Sequence, residues 1–286
     1  MSIASEISRL QGAKASIKEA IEAKGVTVLS SLKLDGYASC ISQISGGGGG
    51  QVVIPDGMHF ASSTFSKLPQ FLQDADWSEV SSMFYGFAYC SFLTSIALSN
   101  LSNITNMGYC FSGCTSLTSV SIPGFSNVSN MAYCFAGCSF MTSLTLPALS
   151  NVSRMDYCFS NCQRLKSITL SGLSRVTNMS NCFSNCSDLT SITLSGLSIV
   201  ANMSNCFRNC TQLQDLVVDS WGTVITNLSN WYLSNCTELT HESLINLISA
   251  LYTTNVTRTC TIGATNLSKL TAEEKAVATA KGWTLN

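Results

Sequence analysis

The chain repeats itself every 24 residues. Met83, Met107, Met131, Met155, Met179 and Met203 keep that step, and so do the phenylalanines four places later, Phe87, Phe111, Phe135, Phe159, Phe183 and Phe207. A cysteine seven places after each methionine keeps it too, from Cys90 through Cys114, Cys138, Cys162 and Cys186 to Cys210. A second cysteine recurs at Cys110, Cys134, Cys158, Cys182 and Cys206, with Gly86 in its place in the first unit. A final irregular unit puts Leu228 where methionine belongs and closes on Cys236. Such a period constrains the fold more than any composition can. One unit is too short to bury its own apolar side, so units must stack.

One unit reads Leu117-x-x-Val120-x-Ile122-x-x-Phe125-x-x-Val128-x-x-Met131-x-x-Cys134-Phe135-x-x-Cys138. The Val120-x-Ile122 alternation predicts a short strand. The apolar residues three and four apart from Met131 to Cys138 predict a helical turn. Ser and Asn between them supply turn chemistry. Stacked in register, equivalent residues form ladders about 4.8 Å apart, and seven or eight coils make a rod roughly 35–40 Å long.

The Leu-x-x-Val-x-Ile strand and the Asn-Met-x-x-Cys-Phe-x-x-Cys turn resemble the leucine-rich repeats of the BspA-like class. The resemblance covers residues 76–240. It implies an α/β fold, a parallel-sheet solenoid used for binding and not for catalysis. The family is common among bacterial surface proteins and adhesins, and in phage proteins.

The flanks read differently. Ile3, Ile7, Leu10, Ile17 and Ile21 follow a four–three pattern that predicts a helix over 3–24, stopped at Gly25. Leu34, Ala38, Ile41 and Ile44 predict a second helix, and Gly46 to Gly50 a flexible linker. A module this small is hard to stabilise alone. Its apolar seam is therefore expected to dock or oligomerise, with a self-contained helical hairpin as the other reading. This stretch looks like the N-terminal segment of tail and fibre-type structural proteins in phages of gut bacteria. The expected organisation is a helical module over 1–45, the linker over 46–50, an N-terminal cap over 51–75, the solenoid over 76–238 and an α/β C-terminal cap over 239–286. In the last, Leu244, Leu247, Ile248 and Leu251 mark a helix, Val256 to Ile262 a strand-like run, and Thr271-x-x-Glu274 a capping box opening a final helix that stops at Gly282. The cap should cover an open rung and its strand edge.

Composition excludes several functions. With 15 Lys+Arg against 16 Asp+Glu the chain lacks the positive charge of a nucleic-acid binder. No apolar run reaches the roughly 20 residues of a membrane span, so no membrane insertion is expected. The first residues lack the basic and apolar regions of a secretory signal. Only two histidines are present, and no paired-carboxylate or nucleophile-elbow pattern occurs, so an enzyme is not expected. The regularity of the 14 cysteines reads as buried thiol ladders, in preference to disulfides or a metal site. No cofactor is expected.

Three surface features remain. Tyr85, Tyr109, Tyr133 and Tyr157 lie two places after the methionines, and Asn181 and Asn205 continue the column. The rings either cover neighbouring coils with hydroxyls in water, or form an aromatic strip against a sugar or a partner protein, and they are carried as candidate binding residues. Ser95, Ser119, Ser143, Ser167 and Ser191, beside Ser121, Thr145, Thr169 and Thr193, predict a hydroxyl-covered sheet face. No Lys, Arg, Asp or Glu stands between Glu79 and Arg154, which points to contact with sister subunits, particle proteins or neutral carbohydrate. Asn-x-Ser/Thr triplets such as Asn127-Val128-Ser129 follow from the repeat itself.

The expected function is a non-enzymatic phage virion structural protein: fibre, tail or capsid-decorating. It would bind other virion proteins through its N-terminal helices and a host surface glycan or protein through the solenoid. A homo-oligomer is expected, with a trimer favoured. The alternatives are a bacterial cell-surface adhesin or an intracellular interaction scaffold.

Overall fold

The computed structural model describes Phe60 and residues 66–286, except 69, 74, 79, 99, 100, 123, 220 and 223–229. The expected N-terminal helices, the glycine run and most of the N-terminal cap lie outside the described residues. After a short helix α1 (Gln70–Gln73), strand β1 (Ser95–Ala97) pairs in parallel with β2 (Ser119–Ser121), Ser95 opposite Ser119. Strands β3 (Ser167–Leu170), β4 (Ser191–Leu194) and β5 (Asp215–Val218) form a second parallel sheet in that order, with Ser167, Ser191 and Asp215 aligned. The alignment is the 24-residue period seen in space.

Between the two sheets the intervening coil contributes one bridge, Ser143 to Ser167. Proline removes one bond from this coil. The Ser195 N–H donates to the Leu170 carbonyl at 3.0 Å, and the Asp219 N–H to that of Leu194 at 3.4 Å. Pro147 occupies the same place in its coil and has no N–H to give. Inward strand residues such as Ile168, Ile192 and Leu216 are buried, while the serine and threonine hydroxyls between them face outward.

The methionine-to-cysteine stretch is not a helical turn, contrary to expectation. Within one coil the N–H groups of Cys110, Ser112 and Cys114 donate to the carbonyls three residues back, each at 3.1 Å. Those of Met107, Tyr109, Phe111 and Gly113 instead donate to the next coil, at 2.9, 2.9, 2.8 and 2.7 Å. Half of the donors thus hold the coil and half hold its neighbour. An α-helix would keep nearly all of them to itself. The chain is bent out of a helix by left-handed residues at two places per coil, for example Tyr109 (φ 57°) and Gly113 (φ 73°).

The interior is a set of stacked columns. From Phe87 to Phe207 the six rings stack with centroids 5.4–6.0 Å apart and planes within 14°. Phe60, not foreseen as part of the column, adds a ring 5.1 Å from Phe87, and its carbonyl accepts the Cys90 thiol at 3.0 Å. Trp231 closes the far end, edge-on to Phe207 at 6.3 Å.

Helix α2 (His241–Ala250) covers the last strand as the sequence predicts, and does so with polar atoms. Ser243 Oγ accepts the Leu216 N–H at 2.7 Å and Asn246 Oδ1 accepts the Val218 N–H at 2.9 Å, so β5 has side chains where a further strand would lie. Strand β6 (Arg258–Cys260) falls in the expected strand-like run and pairs in parallel with β7 (Trp283–Leu285), a strand the sequence reading did not foresee. A one-turn helix α3 (Ala264–Leu267) carries Asn266, whose buried Nδ2 donates to the carbonyls of Leu233, Cys236 and Ile262. Helix α4 (Ala272–Ala280) opens on the expected Thr271–Glu274 capping box.

Candidate binding surface

The four candidate tyrosines form one column. Tyr85 and Tyr109 stack at 4.6 Å, Tyr109 and Tyr133 at 4.4 Å, and Tyr133 and Tyr157 at 4.4 Å, all within 10° of parallel. Phe84 lies against the side of the first pair, edge-on to Tyr85 at 4.7 Å and to Tyr109 at 5.7 Å. The rings are half-buried, and this burial pushes the Tyr133 phenol up to about 12. Both faces of Tyr109 and of Tyr133 are therefore covered by neighbouring rings. The exterior meets ring edges and hydroxyls.

Their backbone is unusual. Tyr85, Tyr109, Tyr133 and Tyr157 have φ between 56° and 59°, as do Asn181 (55°) and Asn205 (57°) in the following coils. Asparagine visits this left-handed region readily and tyrosine does not. The conformation costs a residue other than Gly or Asn about 1 kcal/mol or more. A stacked aromatic pair returns about 0.5–1.5 kcal/mol. Three stacked pairs return about 1.5–4.5 kcal/mol against about 4–8 kcal/mol for four strained residues, so stacking does not offset the strain. Stability alone does not select tyrosine here over the asparagine of the later coils.

Around this column the coils are held by side-chain amides. Asn106 Oδ1 accepts the Gly108 N–H and Asn130 Oδ1 the Ala132 N–H, both at 3.0 Å, and Asn130 Nδ2 donates to Asn106 Oδ1 at 3.0 Å. The column ends where charge begins: Arg154 pairs with the buried Asp156 at 3.1 Å. Asn127 and Ser129 of one glycosylation-type triplet donate to the carbonyls of Ser102 and Thr105, in the preceding coil. The triplets are thus stitches between coils.

Sequence reasoning passed over a second aromatic group. Phe84 (39% exposed), Tyr89 (58%), Phe92 (60%) and Phe140 (46%) lie bare in the same charge-free half. The Tyr89 ring lies against Gly113, whose lack of a side chain makes room for it. The Arg164 guanidinium sits 4.2 Å over the Phe140 ring. Their sequence signal was breaking the period: phenylalanine at 92 and 140 alternates with Ser116 and Arg164.

The cysteines have a structural part to play. All 13 described ones are buried thiols outside any disulfide. The second of each pair donates its thiol to a phenylalanine carbonyl of the coil before, Cys114 to Phe87 at 3.0 Å and Cys138 to Phe111 at 3.2 Å. Burial pushes the Cys162 and Cys210 thiols up to about 12. A nucleophilic cysteine needs the opposite shift. Among the described residues no three His, Cys, Asp or Glu side chains gather as a metal site, and no helix is long and apolar enough to cross a membrane. The expected docking residues Ile3, Ile7, Leu10, Ile17 and Ile21 lie outside the described residues.

Parallel strands in 24-residue register, buried apolar ladders and a polar cap define a solenoid of the leucine-rich-repeat class. Six copies of the BspA type leucine rich repeat region match residues 81–213 and 129–258, more than half of the chain, and the chain belongs to that family. Similar solved structures include the T. pallidum leucine rich repeat protein, 19% identical over 69% of this chain and 87% of that one, with a TM-score of 0.49. A leucine-rich repeat protein from Bacteroides ovatus is 19% identical, over 65% of this chain and 53% of that one, with a TM-score of 0.41. An internalin from Listeria monocytogenes is 14% identical, over 95% of this chain and 87% of that one, with a TM-score of 0.20. No curated protein matches the chain.

Proposed function

We propose that the chain is a non-enzymatic contact protein of a phage particle, a fibre, tail or capsid-decorating component. Residues 1–45 dock it to other particle proteins, and the N-terminal coils meet a host surface. The observation that carries the contact reading is the run from Val80 to Ser153, which holds no charged side chain and yet leaves Phe84, Tyr89, Phe92 and Phe140 exposed. A surface poor in charge and dressed with aromatic rings suits desolvation against a partner. Membership of a repeat family built for binding supports the same reading, and the resemblance of residues 1–45 to tail and fibre-type segments supports the particle.

The test is fractionation of a producing culture into banded particles, cell envelope and cytosol, with the chain quantified by mass spectrometry. Enrichment in the particles is expected. Recovery in the envelope would replace this reading with a cell-surface adhesin, and recovery in the cytosol alone with an intracellular scaffold.

A further inference from the structure

We infer that the tyrosine column is a self-association surface, taken up by the same column of a second copy of this chain. The inference stands apart from the particle reading, since it concerns how two solenoids meet wherever they are found.

Three observations converge on a second copy. The first is backbone strain that the fold does not require. Asn181 and Asn205 show what this conformation accommodates, and four consecutive coils nonetheless carry tyrosine at φ 56–59°. An outlier repeated at successive rungs of one patch marks a surface kept for contact. The second is what the column offers. Its inner ring faces are covered at 4.4–4.6 Å, so a sugar that stacks on an aromatic face has none to use within the column. What remains is a row of edges and hydroxyls repeating at the coil spacing. A partner must match that spacing to engage every rung, and a second solenoid of this chain has it. The third is charge. From Val80 to Ser153, which holds the first three rungs, neither copy carries a Lys, Arg, Asp or Glu, and Arg154 beside the fourth is paired with Asp156, so two such faces meet without net repulsion.

The patch is finite, four rungs from Tyr85 to Tyr157 with the Arg154–Asp156 pair beside its last rung. A finite face that meets itself across a two-fold axis closes as a pair and does not run on into a fibre. Four rungs are small beside the ~800 Å² per partner of a stable interface. The contact is therefore weak between free chains and gains where another element holds the chains together.

The test uses the full chain in sedimentation velocity over a wide concentration range. The wild type should show an association step that Tyr109→Asn/Tyr133→Asn weakens by about tenfold or more, with an unchanged thermal midpoint, because asparagine suits this backbone. Two further variants, Tyr109→Lys/Tyr133→Lys and Tyr109→Glu/Tyr133→Glu, should each fail to associate alone and should associate when mixed. That rescue reads contact between copies, and a purely structural role for the rings would not produce it. The inference is overturned by a wild type of constant mass at every concentration, by an asparagine variant that associates as the wild type does, by one that unfolds, or by a lysine and glutamate mixture that stays apart.

Discussion

Gly137 and Asn161 occupy equivalent places in successive coils and share a left-handed backbone, φ 76° and 61°. The column runs on through Asn185 and Asn209, where each amide Nδ2 donates to the asparagine before it, at 2.9 and 2.7 Å. Room is not the issue at Gly137, since an added Cβ would meet nothing closer than 3.6 Å. Its conformation is the issue. Gly137→Ala should lower stability by about 1–2 kcal/mol, and Gly137→Asn by less than half of that, in urea unfolding. Equal losses would mean that contacts, and not the backbone, set this position. The same logic shows why the tyrosines were legible as a column but not as a strain: spacing reveals which residues align, while φ is hidden until the turn is known.

At the scale of elements, the strands and the C-terminal helices followed their sequence signals closely. Strand β3 falls on the alternating Ile168 and Leu170, and α4 begins at its capping box. The turn did not follow. Apolar residues three and four apart are read as a helix, but here they are two tight turns in succession, whose remaining donors belong to the next coil. The recurring Gly113, Gly137 and Asn161, one place before Cys114, Cys138 and Cys162, were the overlooked sign of positive φ. The cap was foreseen as a cover, but its means were not, because Ser243 and Asn246 look like ordinary polar residues of an amphipathic helix. Ser243→Ala leaves the buried Leu216 N–H without its acceptor and should cost about 1–3 kcal/mol. Chemical denaturation measures it, and a loss near zero would show that α2 covers the strand by apolar contact alone.

For the molecule as a whole, the interior is a ladder of buried thiols. The ladder was plain in the sequence, since a period of 24 residues fixes which side chains share a column. The hydrogen bonds from thiol to phenylalanine carbonyl were not, because they join residues 27 apart, one turn geometry beyond the repeat itself. The candidate surface was only half visible: the absence of charge can be counted along the chain, but the bare Phe92 and Phe140 emerge only once burial is known. In the folded protein a thiol reagent should leave the 13 described cysteines unlabelled, and after denaturation it should reach them all. Rapid labelling of the native ladder would show that the coils open. The bonds between coils carry a further consequence. Ser129 gives its hydroxyl to Thr105, and Ser153 gives its own to Ser129, each at 3.1 Å, so successive units here repeat one stitch. Removing or duplicating one whole unit would keep the backbone bonds between coils in register, and such a molecule can change its reach in discrete increments while its two ends stay as they are.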